Sequence, residues 1–185
     1  MIDRSYAVQL SQRSTDIKEH ILTLYDLVVR IEAKVVVELG AGQSTYALLA
    51  AVNQTGGQLY SIDLLPKAHL RGFPEGEGIL EKEDRYNFVQ GNDMEIIQKW
   101  DSPIDFLFID TSHVYKHTLS ELLFWTPFVR LNGIVTMHDT DHNFGHAVKC
   151  KKALEDFLKQ NPGQFSVQHI LGCGGLSILN RIKDL

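Results

Sequence analysis

Five short runs of β-branched and apolar residues recur along the chain, and each ends on or is followed by an acid, a glycine or a histidine. They are Lys34–Leu39, Gln58–Asp63, Asn87–Gln90, Ile104–Asp110 and Ile134–His138. Each is too short for a helix and is bounded by turn-forming or polar residues, which marks a buried strand. Helical stretches follow them over about 44–53, 93–100, 113–129 and 145–160. Alternation of this kind requires right-handed crossovers, and so a mostly parallel sheet with helices on both faces.

The two ends add to this pattern. Asp16, with Glu19 three residues on, has the form of a capping box and predicts an N-terminal helix over about 16–31. Its apolar face would be Ile17, Ile21, Leu24, Tyr25 and Val28. Near the other end, Phe165–Ile170 and Leu176–Asn180 are strands joined by Leu-Gly-Cys-Gly-Gly, a C-terminal antiparallel hairpin. Asn132-Gly133 reads as the turn into the fifth strand. Leu64–Tyr86, with Pro-Glu-Gly-Glu-Gly at 74–78, is the least periodic stretch and reads as a long, partly mobile connection. The expected architecture is α/β, a mostly parallel sheet with helices on both faces, in one domain over residues 1–185.

Composition narrows the partners. The chain has 18 Lys plus Arg against 23 Asp plus Glu, a net charge of −5, and no basic run. It lacks the electrostatic footprint of a nucleic-acid binder, which argues against a tRNA, rRNA or DNA substrate. The first residues lack the order of a secretory signal, and no apolar run approaches the ~20 residues that span a bilayer. Cys150 and Cys173 are too few for a disulfide framework. A cytoplasmic protein with no membrane and no nucleic-acid partner is expected.

In an open α/β sheet, ligands gather outside the carboxyl ends of the strands, near the point where strand order reverses. That singles out Glu38–Thr45, Asp63, Gly91–Asp93, Asp110–His113 and His138–Asp141. In Glu38-Leu-Gly-Ala-Gly-Gln-Ser-Thr45, Gly40 and Gly42 allow a tight turn and a close approach to a ligand, and Ser44 can cap the helix that follows. The turn is not the nicotinamide fingerprint, because Thr45 stands where that motif needs glycine. Asp63 can accept hydrogen bonds from both hydroxyls of a ribose, or serve as an ordinary turn acid.

Five of the eight histidines fall between 113 and 146. His113 and His138 sit at strand ends. His117 reads as helix surface or a partner of Glu121, and His142 and His146 as capping or lining the next helix. Trp125 and Phe128 read as core, and Tyr115 as packing beneath the site or orienting an acceptor.

Val-Val-Glu-Leu-Gly-Ala-Gly-Gln-Ser-Thr at 36–45, Tyr-Ser-Ile-Asp at 60–63, Phe-Ile-Asp-Thr-Ser-His-Val-Tyr at 108–115 and Leu-Asn-Gly-Ile-Val-Thr-Met-His-Asp at 131–139 carry a resemblance. Together they resemble class I S-adenosylmethionine-dependent methyltransferases. The nearest subgroup is the small O-methyltransferases related to macrolide-sugar methyltransferases and cephalosporin-hydroxylase-like proteins. The resemblance implies a Rossmann-like methyltransferase fold. It places Glu38, Gly40, Ala41, Gly42 and Ser44 around the methionine part of S-adenosylmethionine, Asp63 at the ribose, and Asn92 and Asp93 beside adenine. It makes Asp110 a metal ligand or part of the reacting centre, His113 the general base, and Asp139 a second metal carboxylate.

Two departures stand out. The family usually has Asp then Ser where Asn92-Asp93 stands, and Glu-Asp or Asp-Asn where this chain has His138-Asp139-Thr140. Imidazole suits zinc, iron or nickel better than magnesium, so three alternatives stay open: a different divalent cation with His138 as a third ligand, Mg²⁺ or another cation held by Asp110 and Asp139 alone, or a metal-free site.

The resemblance implies methyl transfer to a small-molecule hydroxyl, of a sugar or natural product. Such a hydroxyl is a very weak acid: a general base contributes typically ~10²–10⁴-fold, and a divalent cation lowers its pKa further. The chain offers little material for a lid, so a homo-oligomer or a partner would complete the acceptor site, or it stays open. A non-catalytic cofactor-binding module, a nicotinamide-dependent oxidoreductase and a metal enzyme of another reaction class share many of these residues.

Overall fold

The computed structural model describes residues 2–66, 70, 80–141, 145 and 147–183. Expectations for 74–78, His142 and His146 lie outside the described residues. The chain runs α1 (Arg4–Ser11), α2 (Ile21–Arg30), β1 (Val35–Leu39), α3 (Gln43–Thr55), β2 (Gln58–Asp63), β3 (Tyr86–Gln90), α4 (Asp93–Ile96) and β4 (Ile104–Ile109). It continues through α5 (Tyr115–Trp125), β5 (Val129–His138), α6 (Ala147–Gln160), β6 (Phe165–Ile170) and β7 (Leu176–Arg181).

The strands form one sheet in the order β3-β2-β1-β4-β5-β7-β6. The first five are parallel, and β7 is antiparallel to both β5 and β6. The chain starts at β1, moves outward through β2 to β3, then crosses back to β4 on the other side of β1. The reversal therefore opens a crevice beyond the carboxyl ends of β1 and β4.

Side chains alternate across each strand. Val36, Phe106, Phe108 and Ile134 face the layer made by α1, α2 and α3, and Val37, Leu39, Leu107, Ile109 and Val135 face α5 and α6. Both faces are covered, so every residue of β4 is buried. Trp125 is buried against the second layer, as its spacing predicts.

Three sequence expectations change. The N-terminal helix starts at Ile21, not near Asp16, and no side chain caps it. Residues 12–20 form turns instead, and Asp16 and Ile17 face the crevice. A separate helix, α1, precedes them and is capped by Asp3, whose carboxylate accepts from the Ser5 amide. Its pattern is weak because only Ala7 and Leu10 are buried. Third, Asn132-Gly133 is a bulge inside β5, which already pairs with β4 at Val129. Asp105 anchors it: one carboxylate oxygen pairs with Arg130, and the other accepts from the Lys34 and Val35 amides at 2.6 and 2.9 Å. Among the described residues, no helix is long and apolar enough to cross a membrane.

Candidate active site

A cavity of about 550 Å³ fills the crevice. Its walls include the glycine turn Gly40–Ser44, Asp63 to Leu65, Gly91, Asp93, Asp110 to Ser112, and Thr15 to Ile17. The two glycines of the turn have separate reasons. Gly40 has φ +87°, and a Cβ there would overlap the carbonyl oxygen of Asp110 at the end of β4. Gly42 has an extended φ of −162° and open space where a Cβ would point. One glycine lets two strand ends meet, and the other leaves the wall clear for a ligand.

Glu38 shares a strand face with Val36, so it points under the start of α3 and does not line the cavity. It is fully buried and accepts from the Ser44 hydroxyl at 2.5 Å, the Thr45 hydroxyl at 2.7 Å and the Ser61 hydroxyl. Ser61 is its register partner on β2. Burial pushes the Glu38 carboxyl up to about 7, against the lowering effect of the three hydroxyls. The resemblance puts Glu38 at the ligand; the structure puts it one layer below, bracing the turn. Ser44 lines the wall but spends its hydroxyl on Glu38. The helix is capped by Thr45, whose Oγ1 accepts from the Gly42 amide at 3.0 Å. Thr45 matters here as a cap, a role that the motif comparison does not show.

Asp63 is the turn acid of one sequence reading and also faces the cavity. Its oxygens accept from the Ala41 amide at 2.9 Å and the Leu65 amide at 2.7 Å, and it still lines the cavity. Asn92 caps α4, accepting from the Met94 amide at 2.9 Å, and only its neighbours Gly91 and Asp93 line the cavity. Thr15 Oγ1 and Gln43 Oε1 are buried without hydrogen-bond partners, on residues that line the cavity. Local sequence carries no signal for either, because the fold alone brings them to one wall.

Beside the cavity, Asp110, His113, His138 and Asp139 come together at the ends of β4 and β5. His113 Nε2 lies 2.5 Å from Asp139 Oδ2 and 3.5 Å from Asp110 Oδ1. His138 Nδ1 lies 3.6 Å from Asp110 and 3.5 Å from Asp139. Its Nε2 donates to the Cys173 carbonyl at 2.6 Å, which leaves Nδ1 facing the carboxylates. Hydrogen bonds to Asp110 and Asp139 push the His113 imidazole up to about 10. Burial opposes charge on His138, yet the same two carboxylates raise it to about 10. Burial also opposes ionisation of Asp110 and Asp139, but the imidazoles outweigh it and hold both below the ordinary range.

His113 and Asp139 have φ of +53° and +55°. Left-handed backbone at a residue with a side chain costs of order 1–3 kcal/mol and persists where the surroundings fix it. Both residues belong to the four-residue cluster, so their backbone is held by the contacts made there.

Residues 37–140 match the family model described as a methyltransferase domain. The chain belongs to this family. Among solved structures, it is similar to cofactor-bound Rv0187 from MTB, with TM-score 0.72 and 18% identity over 98% of this chain and 90% of that one. An O-methyltransferase from Bacillus cereus in complex with SAH gives TM-score 0.68 and 17% identity over 95% and 86% of the two chains. The O-methyltransferase TomG from Streptomyces achromogenes, in complex with SAM, gives 0.66 and 15% over 90% and 81%. At these identities the likeness to the solved structures is one of fold. The class I methyltransferase resemblance drawn from 36–45, 60–63, 108–115 and 131–139 is borne out.

In this methyltransferase, Asp110 is the joint, because it lines the large cavity and also the small recess shared with His113 and His138. Tyr115 is turned away, and its hydroxyl donates to Asp156 on α6 at 2.9 Å. His117 pairs with Glu121 at 3.4 Å, as read from the sequence, and also with Asp93 at 3.2 Å.

Proposed function

We propose that this methyltransferase moves a methyl group from S-adenosylmethionine to the hydroxyl of a small molecule. The carrying observation is the placement of Asp110, one carboxylate shared between a ligand-sized cavity and a cluster that manages protons. The cavity volume lies within the few hundred to ~1,000 Å³ usual for small-molecule sites. Gly42 leaves the wall open for the amino-acid end of the cofactor, and the unpartnered Thr15 and Gln43 oxygens give that end polar partners. Asp63, on the cavity wall, takes the ribose hydroxyls. The O-methyltransferases among the structural neighbours agree with this reading.

The bound cofactor supplies an electrophilic methyl group on a sulfonium. The chain's own work is alignment and proton removal. Asp110, His113 and Asp139 fit a divalent cation as well, since one imidazole nitrogen and two carboxylate oxygens lie within 4.8 Å of one another. Such a cation would lower the pKa of the acceptor hydroxyl. In the resting site, the carboxylates hold a proton on His113. Loss of that proton to solvent frees His113 Nε2 to take the proton of the acceptor hydroxyl, and the two carboxylates stabilise the imidazolium that forms. His138, tied to Cys173, keeps the carboxylates in place.

Calorimetric titration of the full chain with S-adenosylmethionine, S-adenosylhomocysteine and NAD, with and without EDTA, tests the cofactor. Binding of either sulfur ligand is expected, and binding of NAD alone would overturn the reading. His113→Ala is expected to keep cofactor affinity and lose 10²-fold or more of turnover on an accepted hydroxyl. A variant that loses affinity instead would make His113 structural.

A further inference from the structure

A second cluster stands at another edge of the cavity. Asp93 opens α4, while His117 and Glu121 are four residues apart on α5, on one helix face. His117 Nε2 lies 3.2 Å from Asp93 Oδ1 and 3.4 Å from Glu121 Oε1. Asp93 is 7% exposed and Glu121 is 0% exposed. One imidazole nitrogen carries at most one proton, so it cannot satisfy two carboxylates. Asp93 Oδ2 and Glu121 Oε2 are left buried with no hydrogen-bond partner. Two ionised carboxylates buried around one imidazole are costly unless a proton or a further positive charge joins them.

The spacing says which charge. A tetrahedral ion with bonds of about 2.0–2.1 Å sets its donors about 3.3 Å apart. Both separations from His117 match this, and all three donor atoms lie within 4.8 Å of one another. Thr111 Oγ1 donates to Glu121 Oε1 at 2.7 Å and fixes the carboxylate from behind, as outer partners of metal ligands do. One imidazole with two carboxylates suits a divalent ion of the zinc type better than magnesium.

We propose that Asp93, His117 and Glu121 form a second divalent-cation site, separate from the Asp110 cluster. Its fourth position faces the cavity, because Asp93, Thr111 and His117 all line that wall. The ion joins α4 to α5 beside the ligand. This inference is independent of the acceptor and of turnover.

The test uses the full chain, stripped with a chelator, loaded with Zn²⁺, desalted and analysed for metal by mass spectrometry. Asp139→Asn weakens the other candidate site and serves as the background. That variant is expected to retain about one equivalent of zinc, and adding His117→Ala or Glu121→Gln should remove it. His117 is partly exposed, so its truncation spares the core, and circular dichroism checks the fold. An anomalous difference peak for zinc among the three side chains would support the site. Unchanged zinc content on adding His117→Ala, or a peak elsewhere, would overturn it.

Discussion

Gly40→Ala and Gly42→Ala make the same chemical change two residues apart, and the structure separates their outcomes. At Gly40 the added methyl would overlap the Asp110 carbonyl oxygen, with the Asp110 carbonyl carbon 2.8 Å away, and the backbone sits at φ +87°. The left-handed conformation costs roughly 1–2 kcal/mol for a residue with a side chain. Forcing β1 and β4 apart adds about 1–3 kcal/mol, as overpacking generally does. The sum is a large part of the roughly 5–15 kcal/mol that holds a domain folded, and at about 2–4 °C per kcal/mol it lowers the melting temperature by roughly 10 °C. At Gly42 nothing lies within 4 Å and φ is extended, so the fold loses within about 1 kcal/mol. The same methyl projects toward the cofactor, and affinity should fall about tenfold or more, equivalent to at least ~1.4 kcal/mol. Thermal melts of both variants, with calorimetric titration of S-adenosylhomocysteine, read the two effects separately. A Gly42→Ala protein that melts as early as Gly40→Ala, or binds with full affinity, refutes the reasoning.

Other perturbations probe other layers. Glu38 has a folded value near 7 against an ordinary 4.5, so its contribution is fully present below about pH 4.5 and is lost as pH rises through 7. The loss is roughly 3 kcal/mol. In urea titrations, Glu38→Gln should therefore gain on the wild type by about that much between pH 4 and pH 8, and a flat difference would remove burial as the cause. Gly174→Ala puts a methyl onto Asp139 Oδ1 at φ +81°, away from the large cavity. It should lower turnover while cofactor affinity, measured by titration, stays intact. Asp105→Ala frees two strand amides and the Arg130 guanidinium at once, and a loss of about 2–4 kcal/mol is expected in denaturant unfolding.

What the sequence makes legible follows from range. Strands and their order of appearance are local, and the boundaries of β2, β6 and β7 fall within a residue of their apolar runs. Strand ends are informative because a parallel sheet collects them on one edge, so Asp63, Asp110 and Asp139 could be singled out before their partners were visible. The failures are nonlocal. The Asp16–Glu19 pair has the spacing of a capping box, but Asp16 and Ile17 belong to the cavity wall and the helix begins later. The burial of Glu38 depends on Ser61 in the next strand, and the orientation of His138 depends on a carbonyl thirty-five residues downstream. Asp93, His117 and Glu121 come from two helices, and only the i,i+4 half of that cluster is written in the local sequence.

The hairpin loop ties together parts of the chain that lie far apart in sequence. Gly172 to Gly175 all have positive φ, and their carbonyls hold His20, His138 and the Asp141 amide. Every residue that lines the large cavity precedes Thr118. The cavity wall and the carbonyls that hold His20 and His138 therefore come from opposite ends of the chain, and the loop acts on the site through its backbone, so its side chains can vary as long as the left-handed turn is kept.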